Sequence, residues 1–233
     1  MSIYNNMAKY ILSIDQSTSG TKAILFDEKG AVFSRYDLPH KQIINDFGWI
    51  EHNPIDIYNN VIMAVKSVIK KSNIDARQII GAGISNQRET TIAWDKSTGR
   101  PLYNAIVWQC ARAQGICEHI ESKGFSQKIK RVTGLPLSPY YSAAKMAWIM
   151  QNATREINRD LICCSTIDSW IVYKLCGGEP LTDYSNASRT QLLNIYSLRW
   201  DEEVCSYFDL TPAMLPRVCD SNHLFGFSDF EGV

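Results

Sequence analysis

The chain has 233 residues, with 24 basic (Lys and Arg) and 24 acidic (Asp and Glu) side chains, so its formal net charge at pH 7 is zero. Hydrophobic residues make up 45% and charged residues 21%, which is typical of a folded globular protein and excludes disordered, collagen-like and coiled-coil chains. Zero net charge also argues against nonspecific nucleic-acid binding and polybasic membrane binding. The length is enough for one or two domains.

The seven cysteines contain no Cys-x-x-Cys pair, so the sequence gives no support for a zinc site or thioredoxin-type chemistry. Most lie in apolar segments, where we expect small buried thiols in a reducing compartment. The first nine residues are polar, and no apolar run approaches the roughly 18 residues of a membrane span. We therefore expect a cytoplasmic protein that does not cross a membrane.

The chain opens with three apolar runs that predict strands over 10–14, 22–26 and 31–33. Asp27 to Gly30 forms a hairpin turn between the second and third strands, with Gly30 free to adopt positive φ. The segment 16–21, between the first two, is short and rich in hydroxyl groups. The pattern predicts an antiparallel meander with a polar tip.

A helix is predicted after Asn53, a plausible N-cap, with Pro54 at its first position and Lys70 and Lys71 at its end. Its apolar stripe has helical spacing and comprises Ile57, Val61, Ile62, Val65, Val68 and Ile69. Beyond it we predict a buried strand over 79–85, a strand over 90–94, a turn over 95–99, helices over 142–151 and 168–176, and a short strand over 161–164.

Three strands, a crossing helix and a further strand indicate an α/β protein with a mixed β-sheet flanked by helices. This order, with Asp15 at the end of the first strand, suggests the ribonuclease H-like fold. Actin-like ATPases, sugar kinases and nucleases share that fold, so it does not decide the function.

The turn from Asp15 to Lys22 is the first candidate site, because backbone N–H groups in a tight turn can bind an anion. Thr18 and Ser19 add hydroxyl donors, Asp15 can hold a hydrated Mg²⁺, and Lys22 can add positive charge to a phosphoryl group. An ordinary polar turn with a solvated lysine would have the same composition.

The second candidate is the polar segment 86–90 between two apolar strands, where Arg88 and Glu89 offer the donors and acceptors that a polyol needs. A surface ion pair is the alternative. Trp108 could stack on the carbon face of a polyol or be a core residue. Tyr140 and Tyr141 follow Pro139 on a loop, and the residues alone do not separate them.

Two further features have sufficient structural explanations. The segment 181–190 is dense in small polar residues, and Asp183 or Ser185 could cap a helix there. His52 and His119 have no partner at metal-ligand spacing, so we expect both to be structural or solvated.

These segments together resemble the FGGY carbohydrate kinase family, and within it most closely the glycerol kinases. The resemblance covers about residues 9–225 in register, and its motifs are 14–19, 48–52, 84–91, 103–109, 182–190 and the signature-like segment 140–152.

The resemblance implies phosphorylation of a small polyol, most closely glycerol, with ATP and Mg²⁺. It implies that Arg88, Glu89, Trp108 and Tyr140 hold the polyol. The loop with Thr18, Ser19, Gly20 and Lys22 would approach the nucleotide phosphates, with Asp15 near the Mg²⁺.

Family members also carry a second half that supplies the adenine site and the aspartate general base. We therefore expect residues 1–233 to be the N-terminal domain, with no general base, with the C-terminal nucleotide-binding domain as its partner and without turnover alone. A homo-oligomer is compatible with the sequence.

The turn departs from the glycerol kinase pattern at Ser17 and at Gly20 to Lys22, where a lysine is more similar to the sugar-kinase branch. A kinase for another polyol or a xylulose-like ketose therefore stays an alternative. A non-catalytic polyol-binding module and a two-metal nuclease of the same fold are further alternatives.

Overall fold

The computed structural model describes residues 8–154 and 157–233. Its strands are β1 Tyr10–Gln16, β2 Gly20–Phe26, β3 Val32–Pro39, β4 Ile43–Ile44, β5 Ile50–His52, β6 Ile79–Asn86, β7 Thr91–Asp95, β8 Ala105–Ile106, β9 Ile162–Thr166, β10 Leu181–Asp183, β11 Leu193–Asn194, β12 Arg199–Trp200 and β13 Arg217–Cys219. Its α-helices are α1 Pro54–Ser72, α2 Gln114–Ser122, α3 Ser126–Thr133, α4 Ser142–Ala153, α5 Ile167–Cys176, α6 Tyr184–Ala187 and α7 Glu202–Tyr207. Single 3₁₀ turns lie at Ala76–Gln78, Arg159–Leu161 and Pro212–Met214.

The described chain divides into two compact units. The first contains residues 8–41, 55–86 and 228–233 and is built on a sheet of order β3-β2-β1-β6. β1 pairs antiparallel with β2 and parallel with β6, so the sheet is mixed, as the sequence predicts. Leu12 and Leu25 of the sheet and Val61 and Val65 of α1 are fully buried and belong to the apolar core of this unit.

The second unit contains residues 42–54 and 87–227, and its main sheet has the order β4-β5-β8-β7-β9 with antiparallel pairing throughout. Buried side chains of α2, α3 and α4 form one apolar cluster with those of β7, β8 and β9. Among them are Met146, Ile149 and Met150 of α4.

Most predicted elements are confirmed, with shifts of a few residues at their ends and a longer third strand. Gly30 has φ of +76°, as the hairpin turn requires, and α1 begins at Pro54. His52 is buried and His119 exposed, and all the cysteines except the half-buried Cys176 are buried free thiols.

The prediction that 79–85 is a buried strand is wrong in its burial. β6 forms, but it lies at the edge of its sheet and pairs with β1. Its residues alternate between half-buried and exposed, and Ile80 is 62% exposed. Apolar composition alone does not reveal whether a strand is covered on both faces.

Within the part of the chain that the structure describes, no helix is both long enough and apolar enough to cross a membrane.

A buried carboxylate connects two elements of the second unit. Asp168, in the first turn of α5, accepts hydrogen bonds from the hydroxyl of Thr166 at 2.5 Å and from that of Thr182 on β10 at 2.6 Å. Burial raises the pKa of Asp168 to about 6, although these hydrogen bonds oppose the shift.

We expect Asp168→Asn to remove a pH dependence of stability. Because the pKa of Asp168 is raised in the folded chain, its protonation stabilises the fold below about pH 4, and this stabilisation is lost as the pH rises through about 6. Asn keeps the shape and stays neutral. The free energy of unfolding of the wild type minus that of the variant, from urea denaturation, should fall by up to about 3 kcal/mol between about pH 4 and about pH 7. Parallel pH profiles for the two proteins would contradict this.

Candidate functional site

The turn between β1 and β2 brings the predicted phosphate and metal residues together in the first unit. Asp15 and Lys22 are directly opposite each other across the strand pair, and the Lys22 ammonium donates to Asp15 Oδ2 at 2.7 Å. Each side chain is about one-third exposed (35% and 34%). The ion pair joins the predicted metal ligand to the predicted phosphate contact, and both remain open to solvent.

Gly20 is required where the turn closes. The Ser17 amide and hydroxyl both donate to the Gly20 carbonyl, at 2.8 and 2.9 Å. A Cβ atom on Gly20 would lie 2.5 Å from the backbone oxygen of Leu38 on β3, so a larger residue would displace that strand. Thr18 and Ser19 occupy the tip, with Ser19 exposed.

His40 supports this turn, and sequence reasoning assigned it no role. Its Nε2 is within hydrogen-bond distance of Gln16 Nε2 (3.0 Å) and Thr21 Oγ1 (2.9 Å), and its Nδ1 is 3.0 Å from Asn60 Nδ2 on α1. Gln16 and Thr21 lie on the two sides of the turn, so the His40 ring connects both strand ends to the helix.

Glu89, in the second unit, has a backbone conformation that is unusual for its type, with φ of +62°. Its carbonyl accepts hydrogen bonds from the hydroxyls of Thr91 (3.0 Å) and Ser142 (3.2 Å), which stabilise this left-handed residue. Its side chain is only 5% exposed, and Arg189 Nε donates to Oε1 at 2.6 Å. One carboxylate oxygen is thus occupied by a guanidinium in a mostly buried setting.

The alternative reading of an Arg88–Glu89 surface ion pair is wrong. Arg88 is exposed, and it makes no ion pair with any described residue, while Glu89 pairs with Arg189. Arg189 belongs to a segment that the sequence explained by helix capping. The capping is observed, since Asp183 Oδ1 accepts a hydrogen bond from the Asn186 amide at 2.9 Å. Sequence reasoning did not assign any role to Arg189 in the same segment.

Trp108, Tyr140 and Tyr141 form an aromatic wall beside Glu89. The rings of Trp108 and Tyr140 meet edge to face with centroids 5.6 Å apart, and those of Tyr140 and Tyr141 at 5.2 Å. The Arg189 guanidinium lies 5.1 Å from the centre of the Tyr141 ring. Trp108 is half-buried and Tyr140 is 39% exposed, so the wall is not part of the closed core.

The tyrosines that sequence reasoning could not separate differ in their contacts. Tyr140 contacts Trp108, whereas Tyr141 contacts Arg189. The Trp108 amide donates to Thr90 Oγ1 at 3.3 Å, which connects the wall to the loop that carries Glu89. The structure therefore brings three of the four predicted polyol residues, Glu89, Trp108 and Tyr140, into one connected set, with Arg88 adjacent in the chain.

A buried ion pair anchors the segment that carries Trp108. The Arg112 side chain has no exposed surface, and its Nη1 donates to Glu51 Oε1 at 2.5 Å. Its guanidinium lies 4.4 Å from the ring centre of Trp49 and 4.9 Å from that of Trp148. Burial alone would raise the pKa of Glu51, but hydrogen bonds from Asn104, Arg112 and Tyr103 outweigh it and hold the pKa below its ordinary value.

Comparison with known proteins identifies the family. The model for the N-terminal domain of the FGGY family of carbohydrate kinases matches residues 10–231. The chain belongs to this family. The family has the actin-like ATPase architecture, so the predicted ribonuclease H-like fold and the family resemblance are both confirmed.

Among curated relatives of this FGGY chain, glycerol kinase 1 of Thermotoga maritima is 49% identical over 224 residues, which are 94% of this chain and 46% of the relative. The glycerol kinase of Bacillus subtilis is 44% identical over 223 residues, with 94% and 45% coverage. The chain therefore spans about half the length of the curated relatives it matches.

Solved structures of carbohydrate kinases also resemble this chain. Plasmodium falciparum glycerol kinase with ADP superposes with a TM-score of 0.87 at 35% identity, and the match covers 95% of this chain and 45% of the Plasmodium chain. A ligand-bound xylulose kinase from Lactobacillus acidophilus has a TM-score of 0.81 at 27% identity, with 91% and 42% coverage.

We expect Arg189→Met to lower the free energy of unfolding by about 1–3 kcal/mol, because it leaves the Glu89 carboxylate buried without its partner. The Arg189 side chain is 35% exposed, and solvent screening keeps the loss below that of a fully buried pair. Chemical denaturation measures it, and adding Glu89→Gln should recover most of the loss.

The control for this prediction is Arg159→Met, which removes an exposed ion pair with Asp209 and should cost less than about 1 kcal/mol. Equal losses at positions 159 and 189 would show that the Glu89–Arg189 pair is no stronger than a surface contact.

Proposed function

We propose that this chain is the polyol-binding, N-terminal half of an ATP-dependent kinase that phosphorylates a small polyol, with glycerol as the leading substrate. The proposal rests on one observation above the others. The buried Glu89 carboxylate is held by Arg189, whose guanidinium also lies beside Tyr141 of the aromatic wall, in a chain 49% identical to a glycerol kinase over 224 residues.

The chemistry of these groups suits a short polyol. Glu89 Oε2 has no hydrogen-bond donor among the described residues, so it can accept from a hydroxyl of the ligand. Arg88 can donate to a hydroxyl oxygen, as can the Tyr140 phenol. The Trp108 ring offers an apolar face to C–H groups. Such a set binds a molecule that carries adjacent hydroxyls on a short carbon chain.

The Asp15–Lys22 turn is our candidate for the nucleotide phosphates. Thr18, Ser19 and Gly20 supply hydroxyl and backbone groups at the tip, and Lys22 supplies positive charge. The ADP in the Plasmodium falciparum glycerol kinase structure agrees with a nucleotide substrate for the family.

Asp15 fits a Mg²⁺ ion held jointly with nucleotide phosphates. Mg²⁺ keeps several waters and needs only one or two carboxylates. Asp15 is a solvent-accessible carboxylate whose Oδ2 accepts a hydrogen bond from the Lys22 ammonium. When bound, the ion would neutralise phosphate charge. The residues of this chain would hold the phosphates and keep the acceptor hydroxyl oriented.

We assign no general base to this chain. The curated relatives are about twice its length, because 224 matched residues are 46% of the Thermotoga maritima protein. We propose that a C-terminal domain of the kind these relatives carry is the partner of this half and supplies the base and the adenine site.

Family membership removes the nuclease alternative that the fold alone left open. Two observations still support a ketose substrate: Lys22 is more similar to the sugar-kinase branch, and a xylulose kinase is among the similar solved structures. We also propose a cytoplasmic location, since free thiols suit a reducing compartment.

We expect the protein expressed from its complete reading frame to phosphorylate glycerol in a coupled assay of ADP release. Arg88→Ala and Glu89→Gln should each lower kcat/KM for glycerol by about 100-fold or more, because a site built for hydroxyl groups loses heavily when one partner is removed. Arg100→Ala, which changes an exposed arginine of the same unit, is the matched control and should leave kcat/KM unchanged.

The same assay with glycerol, other small polyols and xylulose as phosphoryl acceptors decides between a polyol kinase, a ketose kinase and a binding module. Faster turnover with xylulose than with glycerol would move the assignment to a ketose kinase. Glycerol binding without formation of ADP from ATP in the presence of any acceptor would indicate a binding module. Unchanged kinetics in Arg88→Ala would overturn the assigned site.

A further inference from the structure

Lys145, in the first helical turns of α4, is fully buried. Its ammonium donates to three successive backbone carbonyls, those of Pro139 at 2.6 Å, Tyr140 at 2.5 Å and Tyr141 at 3.1 Å. An ammonium group has three N–H donors, so each is used on the loop that carries the aromatic wall.

A buried charge at this place is costly and therefore needs an explanation. α4 begins at Ser142, so the ammonium lies near the positive end of the helix dipole. It makes no ion pair with a described carboxylate, and the carbonyls replace the lost water. A methionine would fill a similar volume without this cost. The ammonium is thus stabilised by the loop, and the loop in turn is held by the ammonium.

On the basis of the proposed polyol kinase activity, we propose that Lys145 is a positioning residue that holds the backbone of 139–141 and so places the tyrosine rings of the site. The Tyr140 ring then meets Trp108, and the Tyr141 ring lies beside the Arg189 guanidinium. Because Arg189 holds the Glu89 carboxylate, one ammonium organises both the apolar and the polar parts of the polyol site.

The protonation state of Lys145 decides how many carbonyls it can hold. Burial lowers its pKa to about 7, while the nearby Cys110, Glu89 and Cys117 act in the opposite direction. A neutral amine has two donors and a lone pair, so one of the three carbonyls would lose its partner. The loop should therefore loosen as the pH rises through about 7.

Global stability should move in the opposite direction. The pKa of Lys145 is lowered in the folded chain, so the folded state releases this proton at lower pH than the unfolded state does. Raising the pH above about 7 therefore relieves the cost of the buried charge and contributes to the free energy of unfolding. A local loss of protection in a globally more stable protein would place the effect of deprotonation in the 139–141 loop.

Hydrogen exchange of the 233-residue chain tests the inference without any ligand. The Tyr140 and Tyr141 amides donate to the Ser138 side chain (3.2 Å) and carbonyl (3.3 Å), so their exchange reports on the loop. Lys145→Met should accelerate both by about tenfold or more. The control is Lys96→Met, which changes a half-buried lysine far along the chain from the loop, whose Nζ is 3.4 Å from the Ala213 carbonyl, and it should leave both rates unchanged.

The wild type provides a second measurement that stands even if Lys145→Met fails to fold. After correction for the intrinsic pH effect, protection of the Tyr140 and Tyr141 amides should fall between about pH 6 and about pH 8. The reference is the Gly99 amide, which donates to the Asp95 carbonyl at 2.7 Å and should show no such step. A flat profile for both tyrosines, or unchanged exchange in Lys145→Met, would overturn the inference.

Kinetics of the protein from the complete reading frame separate this inference from the proposed function. Lys145→Met should raise KM for glycerol by about tenfold or more and leave KM for ATP unchanged. A wild type that phosphorylates no polyol would overturn the proposed function, while the hydrogen-exchange measurements would still test whether Lys145 positions the loop. If the wild type is active and Lys145→Met has the same KM for glycerol as the wild type, the inference alone would be overturned.

Discussion

The buried carboxylate of Glu89 is the constraint on which the rest of the candidate polyol site depends. A carboxylate with 5% exposure must find donors within the protein, and Arg189 supplies one at 2.6 Å. The left-handed backbone of Glu89 is stabilised through its own carbonyl by Thr91 and Ser142. The guanidinium that satisfies Glu89 also lies beside Tyr141, so the polar and aromatic parts of the site share one contact.

Three cationic side chains stabilise the loops of the second unit, each through a different kind of contact. Arg189 uses a carboxylate, Arg112 uses a carboxylate and two tryptophan faces, and Lys145 uses backbone carbonyls. Each holds a segment that carries a candidate ligand contact: Glu89, Trp108 and Tyr140. A loop held by directional hydrogen bonds from a cation keeps its side chains in place more firmly than one held by apolar contact alone, since such bonds fix direction as well as distance.

Local patterns predicted much of the fold. The meander, α1, α4 and α5 follow from apolar spacing, from Pro54 and from glycines such as Gly30 and Gly177 that allow positive φ. Short elements such as β8 and β10 were not predicted, because two or three residues are too few to show a hydrophobic periodicity. The exposure of β6 was missed because strand composition does not report sheet order.

For the candidate site, the sequence by itself determined which polar segments interrupt apolar elements, and it singled out Asp15, Lys22, Arg88, Glu89 and Trp108. Tyr140 was chosen over Tyr141 only through the family resemblance. Only the tertiary structure decided which of them meet. Arg189 is 100 residues from Glu89, and Arg112 is 61 residues from Glu51. No local pattern links residues so far apart, because such pairs form only when packing brings separate elements together. The same holds for Lys145: its place on a helix is visible in the sequence, but its burial among three carbonyls is set by the path of the preceding loop.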